Sequence, residues 1–411
     1  MKKPGEPMVS VEEALRAVLD FTPILPFESV DLASALGRVL SEEIHADADQ
    51  PPFDKAMMDG FALRSEDVRA APAELQVVME IPAGTPPPGL IAPGQAARIM
   101  TGAMIPQGSD AVQMVEKTEA LDAGRVRILQ GVAAGANIAP RGTQLRRGAR
   151  VLSEGDRLTP ARLGVLASVG RAVAQCRRLP RVVVAPTGDE LVAANQVPGP
   201  GQIRNSNGPA LAAEARSLGA LVEELAPVPD RFEALRSCLE HGLKSNVLIL
   251  SGGVSMGEYD LVEKELEWAG VEIAFRQVAI RPGKPAVFGR RGDCLVFGLP
   301  GNPVSSLVTF RVLVAPALRR MQGIASPEGV HLEARLETEV SQHPGRTGYL
   351  PGKLSFAGGA VGVRPIPTTG SADLPAHSRA DALVIVPADR ETLGAGDTVR
   401  VLLIADPAAI R

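Results

Sequence analysis

The sequence predicts a multidomain protein of the α/β plus β class. It should have a doubly wound α/β domain, an inserted β module, a discontinuous N-terminal helical domain and a small C-terminal β barrel. Three observations predict this. A chain of 411 residues exceeds what one hydrophobic core ordinarily serves. Between Arg181 and about Ala325, short apolar runs alternate with helical stripes, as when strands and helices take turns around a parallel sheet. On either side of that region, alternating polar and apolar residues broken by Pro and Gly read as short strands.

At the N-terminus, Ser10 and Glu13 have capping-box spacing, and Val11, Ala14, Leu15, Val18 and Leu19 form the helical stripe behind them. A second short helical stretch covers Leu32 to Leu36, stopped by Gly37. Pro51-Pro52-Phe53 forces extended backbone. Strands are then expected at Leu75–Ile81, Ala97–Met100, Ala111–Val115 and Arg125–Leu129. Thr159-Pro160 restarts a helix as N-cap and first-turn proline. The simplest arrangement packs this returning segment on the N-terminal helices. The domains are then 1–50 with 145–180, the β module 51–144, the α/β domain 181–325 and the barrel 326–411.

In the α/β region, Val182–Ala185, Leu221–Leu225, Val247–Leu250, Val271–Ala279 and Cys294–Phe297 read as strands. Ala210–Leu218, Phe232–His241, the segment after Asp260 and the segment from Pro303 read as helices. Asp260 and Glu263 have capping-box spacing, Val262, Leu266 and Ala269 form a stripe, and Gly270 is placed to end the helix. Beyond Ala325, strands are expected at His331–Val340, Gly348–Leu354, Val361–Ile366, Ala382–Val386 and Thr398–Ile404.

Composition excludes several classes of function. A net charge of −4 gives no footprint for nucleic acid or an anionic membrane, and no run approaches a membrane span. Cys176, Cys238 and Cys294 are odd in number and far apart, so they read as buried thiols of a reducing cytoplasm. The N-terminus has no apolar core behind its two lysines, so no signal peptide is expected. Walker-type phosphate loops, nucleophile elbows and His-Glu-x-x-His zinc motifs are missing, and the five histidines are scattered.

Ligands of open α/β sheets collect where the strands end, and four loops there carry chemistry. Pro186-Thr187-Gly188-Asp189-Glu190 offers a hydroxyl, a permissive glycine and two carboxylates. Ser251-Gly252-Gly253, continuing through Ser255, Gly257 and Glu258 to Asp260, lets a bare backbone approach an anion. Arg281-Pro282-Gly283-Lys284-Pro285 holds a lysine between prolines. Gly298-Leu299-Pro300-Gly301-Asn302-Pro303-Val304-Ser305 is a strand-to-helix turn with Asn302 as N-cap. Each alone reads as an ordinary βα turn. Together they describe a site for a phosphorylated ligand, with carboxylates for a divalent cation and Lys284 as counter-charge.

The chain also resembles a known family, the molybdopterin molybdenumtransferases or MoeA proteins, relatives of the gephyrin E domain. The resemblance runs nearly end to end. It rests on Pro51-Pro-Phe-Asp54 with Ala56-Met-Met-Asp59-Gly-Phe-Ala62, on Met100-Thr101-Gly-Ala103, and on Pro186-Thr-Gly-Asp-Glu-Leu191. It rests equally on Ser251-Gly-Gly-Val-Ser255 with Gly257-Glu-Tyr-Asp260, on Pro282-Gly-Lys-Pro285, and on Gly298 to Ser305. The resemblance implies a MogA-like α/β domain and an L-shaped homodimer with its site between the α/β domain of one subunit and the β module of its partner. The implied reaction takes adenylylated molybdopterin and molybdate, with Mg²⁺, to molybdenum cofactor and AMP. An adenylyltransferase that supplies the substrate is the implied further partner. Matched position by position, Asp59, Thr101, Glu190, Asp260 and Lys284 are implied catalytic residues, with Glu190 and Asp260 on the metal. Thr187, Gly188, Ser251, Gly252, Gly253, Ser255, Gly257, Pro282, Gly283, Pro300, Gly301, Asn302, Ser305 and Ser371 are expected around the ligand. Arg346 also lies in a stretch that resembles the family.

Three positions depart from the family pattern: Gln144 in Arg141-Gly-Thr-Gln144, Arg281 before Pro-Gly-Lys, and Asn205 in Arg204-Asn-Ser-Asn207. A tungstate-preferring homologue, a molybdopterin adenylyltransferase and a non-catalytic scaffold stand as alternatives. Against the adenylyltransferase is the β module with Asp59 and Thr101, which a lone α/β domain would not need. Against the scaffold is the full set of five chemistry-bearing residues.

Overall fold

A computed structural model describes residues 8–253, 261–357 and 359–405. The chain gathers into two compact units. One comprises Met1–Ser41, Gly155–Leu158 and Gln175–Arg411, and the other Glu42–Glu154 and Thr159–Ala174.

The first unit is organised around a six-stranded sheet in the order Leu221–Glu224, Arg181–Pro186, Val247–Ser251, Cys294–Leu299, Pro285–Arg291, Glu272–Gln277. The first four strands are parallel, and the last two join antiparallel. Every residue of Val247–Ser251 is buried because successive side chains enter cores on opposite faces. Val247 and Ile249 pack with Val182, Val184, Leu211 and Phe297, while Leu248 and Leu250 pack with Val183, Leu235, Val262 and Leu266. That is why the sequence shows an unbroken apolar run. Each such side chain contributes about 1.5–3 kcal/mol relative to exposure.

Helix Val11–Phe21 forms with its capping box intact: Ser10 Oγ accepts from Glu13 N, and Glu13 accepts from Ser10 N. Its stripe Val11, Ala14, Val18 joins the same core as Val247 and Ile249. It therefore falls in the first unit, whereas the returning helix Pro160–Ser168 falls in the second. The apolar stripe of Val11–Phe21 is buried in the core of the sheet.

Within the first unit, His331–Leu336, Thr347–Ala357, Ala360–Pro365, Ala382–Val386 and Thr398–Leu403 close into a five-stranded barrel. Closure comes from Ala382–Val386 pairing back onto Thr347–Ala357. Leu336, Leu354, Val363, Val384, Val399 and Val401 fill it. The short strand Ile280–Arg281 pairs with Thr347 and Gly348, which ties the barrel to the loop carrying Lys284.

The second unit holds a mixed sheet in the order Ala111–Met114, Gly60–Leu63, Gln95–Ile99, Ala73–Ile81, Arg125–Ile128, Thr118–Leu121. Gly60 must be glycine, since a Cβ there would lie 1.9 Å from the Gln113 carbonyl oxygen. Gly60–Leu63 was not among the expected strands because all four residues are buried and show no alternation. Pro285–Arg291 was also not anticipated, and its proline occupies the first strand position, where it interrupts least. The stretch 32–36 forms only the 3₁₀ turn Leu32–Ser34, and 331–340 splits into His331–Leu336 and Val340–Ser341. No helix among the described residues is long and apolar enough to cross a membrane.

Candidate active site

Parallel register brings three of the four loops to one edge of the sheet. Pro186 pairs with Ser251 and Ser251 with Leu299, so Thr187, Gly252 and Pro300 leave their strands side by side. Thr187 N donates to Ser251 O at 2.9 Å, and Gly252 N donates to Leu299 O at 3.1 Å. The backbones then approach so closely that side chains are excluded. A Cβ on Gly252 would stand 2.4 Å from Thr187 O, and one on Gly253 would stand 2.7 Å from Val262 Cγ2. Both glycines have positive φ, 105° and 62°, which a residue with a Cβ adopts only under strain. Gly301 lies across from them, its Cβ position 3.8 Å from Gly252 Cα.

Thr187 is 2% exposed, and its hydroxyl has no hydrogen-bond partner among the described residues. A buried hydroxyl left unpaired is costly, and this one sits 3.1 Å from the Cβ positions of both glycines. Ser251 is equally buried, but its Oγ accepts from Asn207 Nδ2 at 2.9 Å and lies 3.3 Å from Ser306 Oγ. Asn302 is the N-cap of Pro303–Thr309, yet its side chain does not bond to that helix. Its Nδ2 donates to Ser371 Oγ at 2.9 Å, while Ser371 O accepts from Val304 N. Ser371 therefore lies against this turn. Ser305 is buried beneath the same turn.

The lysine loop rests on the same helix. A Cβ on Gly283 would lie 2.5 Å from Thr309 Cγ2 and 3.6 Å from Ser305 O, and Gly283 has φ 118°. Lys284 O accepts from Val278 N, while its side chain is exposed and makes no ion pair with a described residue. Glu190 and Asp189 are exposed at the opposite lip, and Asp189 Oδ1 accepts from Asp230 N. The Asp230 carboxyl is raised above its ordinary value by burial first and then by the charges of Asp189 and Glu190. Among the described residues no three His, Cys, Asp or Glu side chains form a metal cage. Asp260, Ser255 and Gly257 lie outside the described residues.

The second unit holds Asp59 and Thr101 together. Asp59 Oδ1 accepts from Thr101 N and from Thr101 Oγ, both at 2.7 Å. These two bonds, the hydroxyl's first, hold the Asp59 carboxyl below its usual range. The depressed value means that the bonds favour folding above the unfolded carboxylate's range and lose that effect as pH falls through the folded value. Thr101→Val removes the larger contribution and leaves the backbone bond. The Asp59 carboxyl should then titrate at higher pH, read from its carboxyl carbon by NMR. An unchanged titration would contradict the assignment of cause.

Asn207, Ser306 and Asp230 were not anticipated at the site. The only sequence signal was indirect: Asn207 lies just before Gly208-Pro209, and Ser306 follows Ser305 in the first turn. A cavity of about 670 Å³ lies elsewhere, between Lys353, Arg364, Ile366, Arg379 and Asp381 of the barrel region. It contains none of the expected residues.

Glycine turns where strands end, with exposed carboxylates and a lysine on a fixed backbone nearby, are where open α/β sheets present a ligand site. Comparison with known proteins identifies the family. Residues 9–170 match the MoeA N-terminal region (domain I and II), residues 183–320 a probable molybdopterin binding domain, and residues 333–404 the MoeA C-terminal region (domain IV). The chain is 36% identical to the molybdopterin molybdenumtransferase of Nostoc sp. over 97% of its own length and 94% of the relative's. It is 32% identical to that of Bacillus subtilis, again over 97% and 94%. The crystal structure of the molybdopterin biosynthesis MoeA protein from Pyrococcus horikosii matches with a TM-score of 0.83 at 33% identity, covering 97% of this chain and 100% of that one. The chain belongs to the molybdopterin molybdenumtransferase family, and it is a transferase of molybdenum cofactor biosynthesis.

Proposed function

We propose that this transferase inserts molybdenum from molybdate into adenylylated molybdopterin and releases AMP. The observation that carries the reading is the meeting of the Thr187, Gly252 and Gly301 turns at one sheet edge with their backbones bare. Backbone N–H groups of such turns bind phosphoryl oxygens. The buried Thr187 hydroxyl, without a partner among the described residues, supplies a further donor. Lys284 neutralises the oxyanion from a loop fixed against Ser305 and Thr309. Asp59, held ionised by Thr101, is an acceptor for donors on the pterin.

Mg²⁺ fits the chemistry of the acidic lip. This ion takes one or two carboxylates and keeps several waters beside substrate phosphates, so it needs no complete protein cage. Glu190 and Asp260 would hold it, and Asp189 and Glu190 both add negative charge beside Asp230. When bound, it would polarise the phosphate oxygens next to AMP.

The working unit in this reading is a homodimer, supplied by a separate adenylyltransferase. Sedimentation at micromolar concentration should give twice the 43.0 kDa chain mass. A monomer under those conditions would argue against a shared site. The functional test is AMP release by purified protein given adenylylated molybdopterin, Mg²⁺, and either molybdate or tungstate. Release that depends on molybdate is expected. Preference for tungstate would change the cargo, and no release with either would favour a binding scaffold.

A further inference from the structure

We infer that Asn207 is a positioning residue that sets the spacing between the two glycine turns of the site. The inference rests on the functional reading above for its consequence, though not for its geometry. The Asn207 carboxamide nitrogen donates to Ser251 Oγ at 2.9 Å and to the Gly301 carbonyl at 2.7 Å. Ser251 ends one central strand, and Gly301 lies just beyond the end of its neighbour. A carbonyl oxygen only accepts, so the nitrogen of the amide, not its oxygen, must face Gly301. Both amide hydrogens are thereby engaged, one on each turn.

Behind Asn207 the hydroxyls are ordered in one direction. Ser306 Oγ donates to Pro300 O, so toward Ser251 it can only accept. Ser251 accepts from Asn207 and is left to donate to Ser306 across 3.3 Å. The series Asn207, Ser251, Ser306, Pro300 therefore joins the two turns twice, through the amide in front and the hydroxyls behind.

The helix that carries Asn207 does not need its side chain. Asn207–Ser217 is anchored by Leu211, Ala212 and Ala215, all fully buried. Its first turn is served by a different residue, since Asn205 Oδ1 accepts from Gly208 N at 2.9 Å. Asn207 thus projects from a rigid element, and among the described residues its side chain bonds to the two turns. Their separation matters because the Gly301 Cβ position is already 3.8 Å from Gly252 Cα, so a small shift changes which phosphoryl spacing the two sets of N–H groups accept.

Asn207→Ala, Asn207→Asp and Asn205→Ala in the full chain test this. In ligand-free protein, Asn207→Ala should speed hydrogen exchange about tenfold at Gly252 and at Val304 of the Gly301 turn, whose N–H groups donate to Leu299 O and Ser371 O. Exchange in the body of helix Asn207–Ser217 should stay as in wild type. Asn205→Ala should do the opposite, loosening the helix start and sparing the turns. KM for adenylylated molybdopterin should rise about tenfold in Asn207→Ala, with kcat changed by less than about threefold. Asn207→Asp sets a carboxylate against the Gly301 carbonyl. It should bind worse than Asn207→Ala at about pH 8 and recover toward about pH 5, as the acid gains a proton to donate. A role in folding alone would not give that pH-dependent recovery. Unchanged exchange at both turns in Asn207→Ala overturns the inference, as does faster exchange with an unchanged KM. Should wild type itself release no AMP, the functional reading fails, while the exchange measurement still decides whether Asn207 holds the turns together.

Discussion

Asp59→Asn is expected to lower turnover by about a hundredfold or more while leaving the fold intact. The substitution is isosteric and lies at an exposed loop position, where changes away from the core cost little stability. Its backbone role survives, because Asp59 O continues to accept from Val115 N. What changes is the charge. Thr101 bonds only to Oδ1 and keeps the carboxylate ionised, so Oδ2 is presented as a fixed anionic acceptor. An amide can keep one acceptor but loses the charge and turns a donor toward the ligand. The loss should therefore persist across neutral and alkaline pH.

The proposed homodimer makes this prediction sharper. Asp59→Asn and Glu190→Gln should each be inactive as pure proteins. If the β module of one subunit serves the α/β domain of its partner, mixed dimers carry one site with both lesions and one with neither. Activity should then return to roughly a quarter of wild type after random exchange of equal amounts, because half of the dimers are mixed and each has one intact site of two. No recovery despite demonstrated exchange would mean that each subunit builds its own site. Recovery without subunit exchange would mean that one of the two single variants is not inactive.

How much was legible in the sequence differs by kind of feature. The central strand Val247–Ser251 and its neighbour Cys294–Leu299 were visible as apolar runs because burial on both faces removes every polar residue. The glycine turns were visible because positive φ and close backbone approach leave few other choices at Gly252, Gly253 and Gly283. Helix Val11–Phe21 was readable from its capping box, but its destination was not. An apolar stripe states that a helix packs, without stating on what. Asn207 shows the same limit for a polar residue. Its local context reads as a helix start, and only tertiary register brings Ser251 and Gly301 within its reach. Asp230 becomes informative only in the fold, which partly buries it and sets the charges of Asp189 and Glu190 beside it.

Lys284→Ala is expected to raise the molybdate concentration needed for half-maximal AMP release by about tenfold to a hundredfold. A charge-assisted hydrogen bond to an oxyanion is worth roughly 1.5–3 kcal/mol, which is that range. Binding of AMP itself should change by less than about threefold, since the nucleotide phosphate is assigned to the glycine turns and not to the lysine. The argument is positional. Lys284 makes no ion pair with a described residue, so its ammonium is available to a ligand. Its backbone is fixed on one side by the Val278 bond to its carbonyl and on the other by Gly283 wedged against Thr309. A fixed backbone limits the volume that the ammonium can search, which lowers the entropy lost on meeting a small anion. Lys284→Arg keeps the charge but replaces a compact ammonium by a wide planar fork, and should recover only part of the response. The measurement is AMP release against molybdate concentration at saturating Mg²⁺ for wild type and both variants. In wild type, release should be slow without molybdate, because cleavage before metal arrives would leave the dithiolene unprotected. A wild-type rate indifferent to molybdate would defeat the coupling. A Lys284→Ala variant that loses AMP binding and molybdate response together would place the lysine at the nucleotide phosphate instead.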